Sequence, residues 1–162
     1  MIFITLGTQK FQMNRLLQEI DKLIDEGKIS DEIFAQIGYS TYLPKNFKYT
    51  DFLDDAKFQK CIENCDLLIT HAGVGNIING LKLNKKIIVF PRLKKFNEHV
   101  DDHQLEIAEH FEKKKFVLLC TSVDNLFLKI VQSAEFPFQK YHINYDGFVF
   151  KLRKYLDEWG IK

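Results

Sequence analysis

The fold is decided by the stretch Asp66-Leu67-Leu68-Ile69-Thr70-His71-Ala72-Gly73-Val74-Gly75-Asn76, in which a short apolar run passes directly into a glycine turn. Residues 66–70 have the length and the largely apolar character of a strand that is buried on both faces. A helix beginning near Gly73 follows, because Ile77 and Leu81 recur at helical spacing. One strand leading through a tight turn into one helix is the repeating unit of α/β proteins.

The same unit recurs along the chain. The pattern predicts further strands at residues 2–6, 32–37, 47–52, 86–90 and 116–119, and further helices at 16–24, 55–64, 99–112, 122–133 and 145–158. Strands alternating with helices imply right-handed crossovers and a mostly parallel sheet with helices on both faces, a Rossmann-like α/β fold. With 162 residues, 46% of them hydrophobic, we expect a single domain over residues 1–162.

Charge and cysteine content narrow the function classes. The net charge of +1 gives no electrostatic basis for nucleic-acid binding. The basic runs at residues 92–95 and 113–115 fit either anionic lipid headgroups or a solvated surface.

Cys61, Cys65 and Cys120 form no CxxC pair, and reduced, buried cysteines of a cytoplasmic protein are the simplest interpretation. No apolar run approaches the roughly 20 residues of a spanning helix, so we expect any membrane attachment to be peripheral.

Phenylalanine is more abundant than a minimal core requires. The chain has 15 Phe residues. Several lie near the C-terminus, where a partner could cover them: Phe136, Phe138, Phe148 and Phe150.

Ligands of open parallel sheets bind beyond the carboxyl ends of the strands, where the connections diverge. This rule selects three loops, at residues 7–10, 70–76 and 91–104. The first contains Gly7-Thr8-Gln9 between a strand and a helix, where bare backbone and free helix amides favour anionic oxygens. Thr8 could instead be an ordinary N-cap. The loop lacks both the GxGxxG spacing of dinucleotide sites and the GK[ST] of a Walker loop.

The second loop contains two glycines between a buried strand and a helix. Gly73 and Gly75 leave main-chain amides unshielded, and the helix dipole adds partial positive charge there. These features suit a diphosphate, which would be stabilised at this turn without a lysine. The alternative is a tight strand-to-helix turn with Asn76 near the cap.

The third loop ends in His99-Val100-Asp101-Asp102-His103-Gln104, at the start of a predicted helix. Two histidines four residues apart resemble a zinc pair, but position 100 lacks a catalytic glutamate and the sequence offers no clear third ligand. We therefore expect no metal and no cofactor. His103 and Gln104 are better interpreted as hydrogen-bonding partners of sugar hydroxyls. A solvated helix start with dipole-compensating aspartates is the alternative.

Taken together, these loops resemble the C-terminal, donor-binding domain of the MurG-like family 28 glycosyltransferases of the GT-B fold. The resemblance runs from about Ile2 to Leu119 and is most specific in residues 66–78, 87–92 and 101–109. Within the family it is nearest to small, separately encoded subunits. These include a eukaryotic subunit that helps to add GlcNAc to a dolichol-linked sugar and, nearer still, PssE-like subunits of exopolysaccharide and capsule assembly.

The resemblance implies a donor site. It assigns the following residues to the nucleotide and diphosphate: Gly7, Thr8, Gln9, Phe52, Leu53, His71, Gly73, Val74, Gly75, Asn76 and Asn79. Phe52 and Leu53 match the loop that holds the uracil, and His103 and Gln104 match the pair that reads the donor sugar. Asn79 departs from the family, because many relatives have an acidic residue there for the ribose hydroxyls.

The resemblance also implies a partner. A complete GT-B enzyme has two such domains, so the acceptor site and the general base are expected on a membrane-anchored PssD-like subunit. The two chains together would transfer a hexose, with galactose or glucuronic acid favoured over N-acetylglucosamine, from a UDP-sugar to a lipid-linked glycan at the inner face of the cell membrane. Three alternatives remain at this point: a non-catalytic enhancer of the partner, a UDP-GlcNAc 2-epimerase, and a generic flavodoxin-like binding module.

Overall fold

The computed structural model of the protein describes residues 1–141, in which six parallel strands form one sheet. The strands are β1 Ile2–Thr5, β2 Ile33–Gln36, β3 Lys48–Thr50, β4 Leu67–Thr70, β5 Lys86–Val89 and β6 Leu118–Leu119, in the order β3-β2-β1-β4-β5-β6. Every neighbouring pair is parallel. The predicted Rossmann-like parallel sheet is confirmed.

The described residues contain five α-helices, of which the first four connect strands and the fifth follows β6: α1 Asn14–Asp25, α2 Asp55–Asn64, α3 Val74–Lys82, α4 His103–Lys113 and α5 Leu126–Ser133. Short 3-10 turns at Lys94–Phe96 and Val123–Asn125 precede α4 and α5. None of the helices in residues 1–141 combines the length and the apolar character that crossing a bilayer requires.

The core has one layer on each side of the sheet, as continuous apolar strands predict. Ile4 and Ile69 belong to the layer that packs on α1, and their strand neighbours Phe3 and Leu68 belong to the opposite layer, with Ile77 of α3. All five side chains are fully buried. Strands covered on both sides leave only the ends of the sheet open to ligands.

The predicted boundaries are wrong in the second half of the chain. The helix expected at residues 99–112 begins at His103, because Asp101 accepts a hydrogen bond from the His103 amide, and Asn97 adopts a left-handed conformation with a φ of 56°. The helix expected at residues 122–133 divides into a 3-10 turn and α5. The helix expected at residues 145–158, with Phe148 and Phe150, lies outside the described residues.

The aromatic and thiol side chains mostly pack within the chain itself. Phe136 and Phe138 are half-buried against the α1 layer, with ring centroids 4.8 Å apart, and coverage of their remaining surface by a partner stays a prediction. All three cysteines are free thiols. Cys65 and Cys120 are buried, and burial raises the pKa of each thiol to about 11.

Candidate functional site

The site lies where the chain connections diverge at the centre of the sheet. β1 and β4 are neighbours, with Thr5 in register with Thr70, but β1 leads away to β2 on one side and β4 leads to β5 on the other. The loops after the two strands therefore part and leave a crevice between them.

This crevice is a cleft with a volume of about 480 Å³, which is typical of small-ligand sites. It is lined by all three loops that the strand-end rule selects, together with the start of α2: Gly7, Thr8, Gln9, Gln36, Leu53, Asp55, Phe58, His71, Ala72, Gly73, Val74, Gly75, Asn76, His103, Gln104 and Ile107. Eleven of the thirteen residues assigned to the donor site by resemblance are among them. We call residues 7–9 and 71–76 the glycine end, and residues 99–104 the α4 end.

The glycine end is organised around one buried imidazole. A Cβ atom on Gly7 would lie 2.5 Å from His71 Cε1, and one on Gly73 would lie 2.3 Å from His71 Nε2. Gly7 also has a φ of +76°, which disfavours any other residue. The His71 ring therefore fills the space that side chains on both turns would need, and it holds the two bare turns next to each other.

His71 is held in its neutral form. Burial and, to a smaller extent, the nearby Arg92 cation lower the pKa of the imidazole from 6.5 to about 4. The Thr5 backbone carbonyl opposes this shift, and His99 adds to it. Near neutral pH the ring thus brings no charge of its own to the cleft.

The start of α3 presents unshielded amides. Gly73 is the N-cap and makes no side-chain cap hydrogen bond, while the amides of Asn76 and Ile77 donate to its carbonyl at 3.1 and 3.2 Å. The first amides of a helix have no intrahelical acceptor, and the dipole adds partial positive charge to them. A Cβ at Gly75 would meet no atom within 4 Å, so the approach to these amides is open. This end of the cleft can hold an anionic group.

A buried guanidinium joins the loops after β1 and β5. Arg92 is 1% exposed. Its Nη2 donates to the Leu6 carbonyl at 2.6 Å, and its Nη1 donates to the carbonyls of Phe11, Gln12 and Glu98 at 3.0, 3.2 and 3.1 Å. One side chain therefore fixes the position of the Gly7 turn relative to the α4 end.

Glu98, in the loop that leads to α4, forms a buried ion pair with Arg15. Its carboxylate is buried and accepts hydrogen bonds from Arg15 Nε at 2.8 Å and Arg15 Nη2 at 2.9 Å. It also accepts the Leu93 amide at 3.1 Å. The Arg15 guanidinium lies over the ring of Phe90, 4.2 Å from its centroid. These contacts tie the loop after β5 to α1.

At the α4 end, Gln104 and His103 both line the cleft, but they differ in how far they are buried. Gln104 is buried, and its Oε1 accepts the Arg92 amide at 3.1 Å, which leaves its NH₂ group for the cleft. His103 is 48% exposed, and its Nδ1 contacts Asp101 Oδ1. The two residues expected to read a sugar are therefore brought to the same cleft as the glycine turns.

The α4 end also contains a group that could hold a metal ion. The ligand atoms of His99, Asp101 and His103 lie within 4.8 Å of one another. The sequence offered only the histidine pair, and the loop supplies the third ligand by folding Asp101 between the two rings. Two imidazoles and one carboxylate form a donor set that suits divalent transition metals.

Two assigned residues lie outside the cleft. Asn79 is on the side of α3 that faces α2, where its Nδ2 donates to Gln59 Oε1 at 3.0 Å, so its side chain is engaged away from the cleft. Phe52 is 44% exposed and packs edge-on against Tyr39, with centroids 5.2 Å apart. The position of its neighbour Leu53 in the cleft wall follows from a hydrogen bond between the Leu53 amide and Gln36 Oε1 at 3.0 Å.

The lining residues missed from the sequence include the end of β2 and the first turn of α2. Gln36 is the last residue of β2, and a buried polar side chain at the end of a buried strand was the available signal. Asp55 and Phe58 come from the first turn of α2, which the strand-end rule did not select. Asp55 is the only carboxylate among the residues that line the cleft in the described part of the chain.

Comparisons with known proteins show the family to which the chain is similar. A family model described as "Glycosyltransferase family 28 C-terminal domain" matches residues 1–153. The UDP-N-acetylglucosamine transferase subunit ALG13 of Candida albicans is 37% identical over 95 residues, 59% of this chain and 31% of that protein. The human protein of the same name is 28% identical over 127 residues, 74% of this chain and 11% of that protein. The chain thus spans a third or less of the length of these two relatives.

Solved structures share the fold. The NMR solution structure of ALG13 gives a TM-score of 0.60 at 19% identity and covers 93% of each chain. The crystal structure of MurG from Acinetobacter baumannii gives a TM-score of 0.56 at 18% identity, over 82% of this chain and 41% of that chain. At these identities the likeness establishes the fold alone.

Proposed function

This chain belongs to the glycosyltransferase family 28 C-terminal domain family, and from that premise we propose that it is the UDP-sugar-binding subunit of a two-component inverting glycosyltransferase. The premise agrees with the family predicted from the sequence. Relatives named as transferase subunits support a subunit role for this chain.

The observation that carries the proposal is the lining of the cleft. Unshielded amides at the start of α3 and the bare turn at Gly7 line the same cleft as the polar side chains of His103 and Gln104. A UDP-sugar combines the two kinds of group that such a lining suits, an anionic diphosphate and a ring of hydroxyls. The wall formed by Leu53 and Phe58 is apolar and is available to the nucleoside.

The chemistry assigned to this chain is stabilisation of the departing UDP. A hydroxyl oxygen of the acceptor attacks the anomeric carbon, the bond from that carbon to the diphosphate oxygen breaks, and its electron pair remains on UDP. The acceptor proton passes to a base, which we assign to the partner subunit. Amides aimed at the growing negative charge on the diphosphate lower the barrier without a metal ion. The proposal therefore assigns no cofactor to this step.

The finer assignments rest on resemblance. We assign the partner to a membrane-anchored PssD-like, acceptor-binding subunit and the product to a lipid-linked glycan of exopolysaccharide or capsule assembly. This chain would then act peripherally, at the inner face of the cell membrane. The donor is a UDP-hexose, with galactose or glucuronic acid favoured by the PssE-like pattern at residues 91–95 and 99–104. The names of the curated relatives make UDP-N-acetylglucosamine the third donor to test.

The test is replacement of Gly75 by valine. A Cβ there meets no atom within 4 Å, so the fold should be preserved while the branched side chain screens the α3 amides. We expect UDP affinity, measured by calorimetry, to fall about a hundredfold, comparable to the loss of one oriented donor. Lys82→Val, at the exposed C-terminal end of the same helix, is the matched control.

The result also separates this function from its main alternative. Unchanged UDP affinity in Gly75→Val would place the diphosphate elsewhere. A folded wild-type chain that does not bind UDP or UDP-sugars, alone or with its partner, would contradict donor binding and favour a non-catalytic enhancer.

A further inference from the structure

Three side chains with metal-ligating atoms converge at the α4 end: His99, Asp101 and His103. Each offers one ligand atom, and these atoms lie within 4.8 Å of one another. Across residues 1–141, no other set of three His, Cys, Asp or Glu side chains comes together in this way. The proposed function gives these three residues no role as a unit.

The bend before α4 brings the two rings together. His99 precedes the helix and His103 is its first residue, so the pair does not lie on one helical turn. The ring centroids are 4.7 Å apart. Asp101 Oδ1 lies 3.0 Å from His99 Nδ1 and contacts His103 Nδ1. The sequence shows only the two histidines, and the expectation of no metal rested on the missing third ligand, which this bend supplies.

The buried ring of His99 gives the group one fixed member. Its side chain is 7% exposed and packs against Phe11, with ring centroids 5.6 Å apart. The side chains of Asp101 and His103 are about half exposed and are free to adjust. Ligand atoms about 2 Å from a tetrahedral metal ion lie about 3.3 Å from one another. Ion binding would therefore require only a small movement of the Asp101 carboxylate away from His103.

The polar contacts of His99 Nδ1 favour a cation beside it. The Asp101 amide donates to this nitrogen at 3.4 Å, which requires a lone pair on the nitrogen. An ionised Asp101 carboxylate also presents lone pairs, and its Oδ1 lies 3.0 Å from the same nitrogen. Two lone-pair atoms at this distance repel each other unless a positive centre lies beside both. A metal ion supplies that centre, and it can take the lone pair of His103 Nδ1 as its third ligand.

The donor set indicates the class of ion. Imidazole nitrogens suit zinc, copper and nickel, whereas magnesium and calcium prefer sites made of oxygen atoms alone. Two imidazoles and one carboxylate therefore suit a divalent transition metal. Three protein ligands leave one position of a tetrahedral zinc ion for water or for an oxygen atom of a ligand.

We propose that His99, Asp101 and His103 form a binding site for one divalent transition-metal ion, best fitted by Zn²⁺, with Nδ1 of both rings and the Asp101 carboxylate as ligands. The site does not depend on the proposed donor role, and the departure of UDP at the glycine end still needs no metal. Because His103 also lines the cleft, the ion would fix the orientation of one cleft-lining ring.

Calorimetric titration with Zn²⁺ tests the proposal on the full chain, without a histidine tag and after removal of metal by a chelator. Mildly alkaline pH is used because metal ions bind the neutral imidazole. We expect wild type to bind one equivalent of Zn²⁺. Asp101→Asn removes a ligand and should weaken binding by about a hundredfold, at least as much as the loss of an outer-shell partner.

Asp102→Asn is the matched control, because it removes the same charge from the next residue. Asp102 is exposed, and its Oδ1 accepts the Lys94 amide, a hydrogen bond that asparagine can also accept. This variant should bind Zn²⁺ like wild type. An equal loss of affinity in both variants would show that the ion responds to charge alone and would contradict the site.

The ¹⁵N chemical shifts of the histidine rings locate the ion in wild type, so the test does not depend on the folding of a variant. Zn²⁺ should shift Nδ1 of His99 and of His103 and leave the exposed His110 unchanged. The proposal is overturned by a wild type that shows no saturable binding of micromolar Zn²⁺, or by unchanged affinity in Asp101→Asn. A response at His110 in place of His99 would also overturn it. The three side chains would then form a hydrogen-bonded group only.

Discussion

The two ends of the cleft are built from different parts of the chain. The glycine end is made of main chain, and its geometry depends on bare turns packed around the buried His71 ring. The α4 end is made of side chains from the loop after β5 and the first turn of α4, with Asp101 and His103 both substantially exposed. The comparison suggests that the glycine end cannot change without disturbing the fold, whereas the α4 end can change its ligand preference at little cost in stability.

Replacement of Arg92 by alanine should have the largest effect, because Arg92 connects both ends. The change leaves several buried carbonyls without a donor, among them those of Leu6 and Glu98. We expect the free energy of unfolding to fall by about 4 kcal/mol, measured by urea denaturation.

Arg92→Lys keeps the charge but cannot donate from two separate nitrogens as the guanidinium does, so it should recover only part of the lost stability. Lys95→Ala, at an exposed position of the same loop, should be neutral. An Arg92→Ala protein as stable as wild type would show that the two ends are not held together by this side chain.

The glycine turns should show the next largest effect. Gly73→Ala places a Cβ against His71 and should cost about 2 kcal/mol by overpacking. Gly7→Ala adds the strain of its positive φ and should cost about 3 kcal/mol.

A His71→Ala background distinguishes the two causes. With the ring removed, the cost of Gly73→Ala should largely disappear, whereas Gly7→Ala should retain the roughly 1 kcal/mol that comes from its backbone conformation. Equal costs in both backgrounds, measured by urea denaturation, would show that the ring does not determine the geometry of the glycine end.

The pH dependence of stability should report the same buried ring. Between pH 6.5 and about 4 the unfolded chain binds a proton at His71 that the folded chain does not bind. The contribution to the free energy of unfolding is complete above pH 6.5, is lost as the pH falls towards 4, and then levels off, for a total of roughly 3 kcal/mol.

Urea denaturation of wild type and His71→Asn at both limits of this window measures the difference. Wild type should lose more stability than the variant on acidification, while the exposed His110→Asn should follow wild type. Identical pH dependence of wild type and His71→Asn would mean that the ring is protonated or solvated in the folded protein.

The smallest effect on stability is expected at the α4 end. Asp101→Asn keeps an oxygen that can accept the His103 amide, and the side chain is exposed. We expect no resolvable change in the Tm of the metal-free chain by calorimetry. A clear loss of Tm would make the His99, Asp101 and His103 group part of the folding core, and the two ends would no longer differ in kind.

Much of the fold could be predicted because the decisive patterns are local. The apolar runs at residues 2–6, 67–70 and 86–90 and the glycines that end or follow them report burial and turns within a few residues. Parallel order follows from strand–helix alternation, and the strand-end rule then locates the first and second loops. The start of α4 could not be predicted, because its helical spacing continues back to His99 and the side-chain bonds of Asp101 end it at His103.

The sequence by itself determined the parallel sheet, the bare glycine turns and the presence of polar side chains at three strand ends. Only the tertiary structure decided that His71 fills the space of two absent side chains, that Asp101 completes a group with both histidines, and that Asn79 points towards α2 instead of the cleft. The reason is physical. Backbone conformation depends on neighbours in the chain, whereas a side chain's partners depend on packing between elements that lie far apart in sequence.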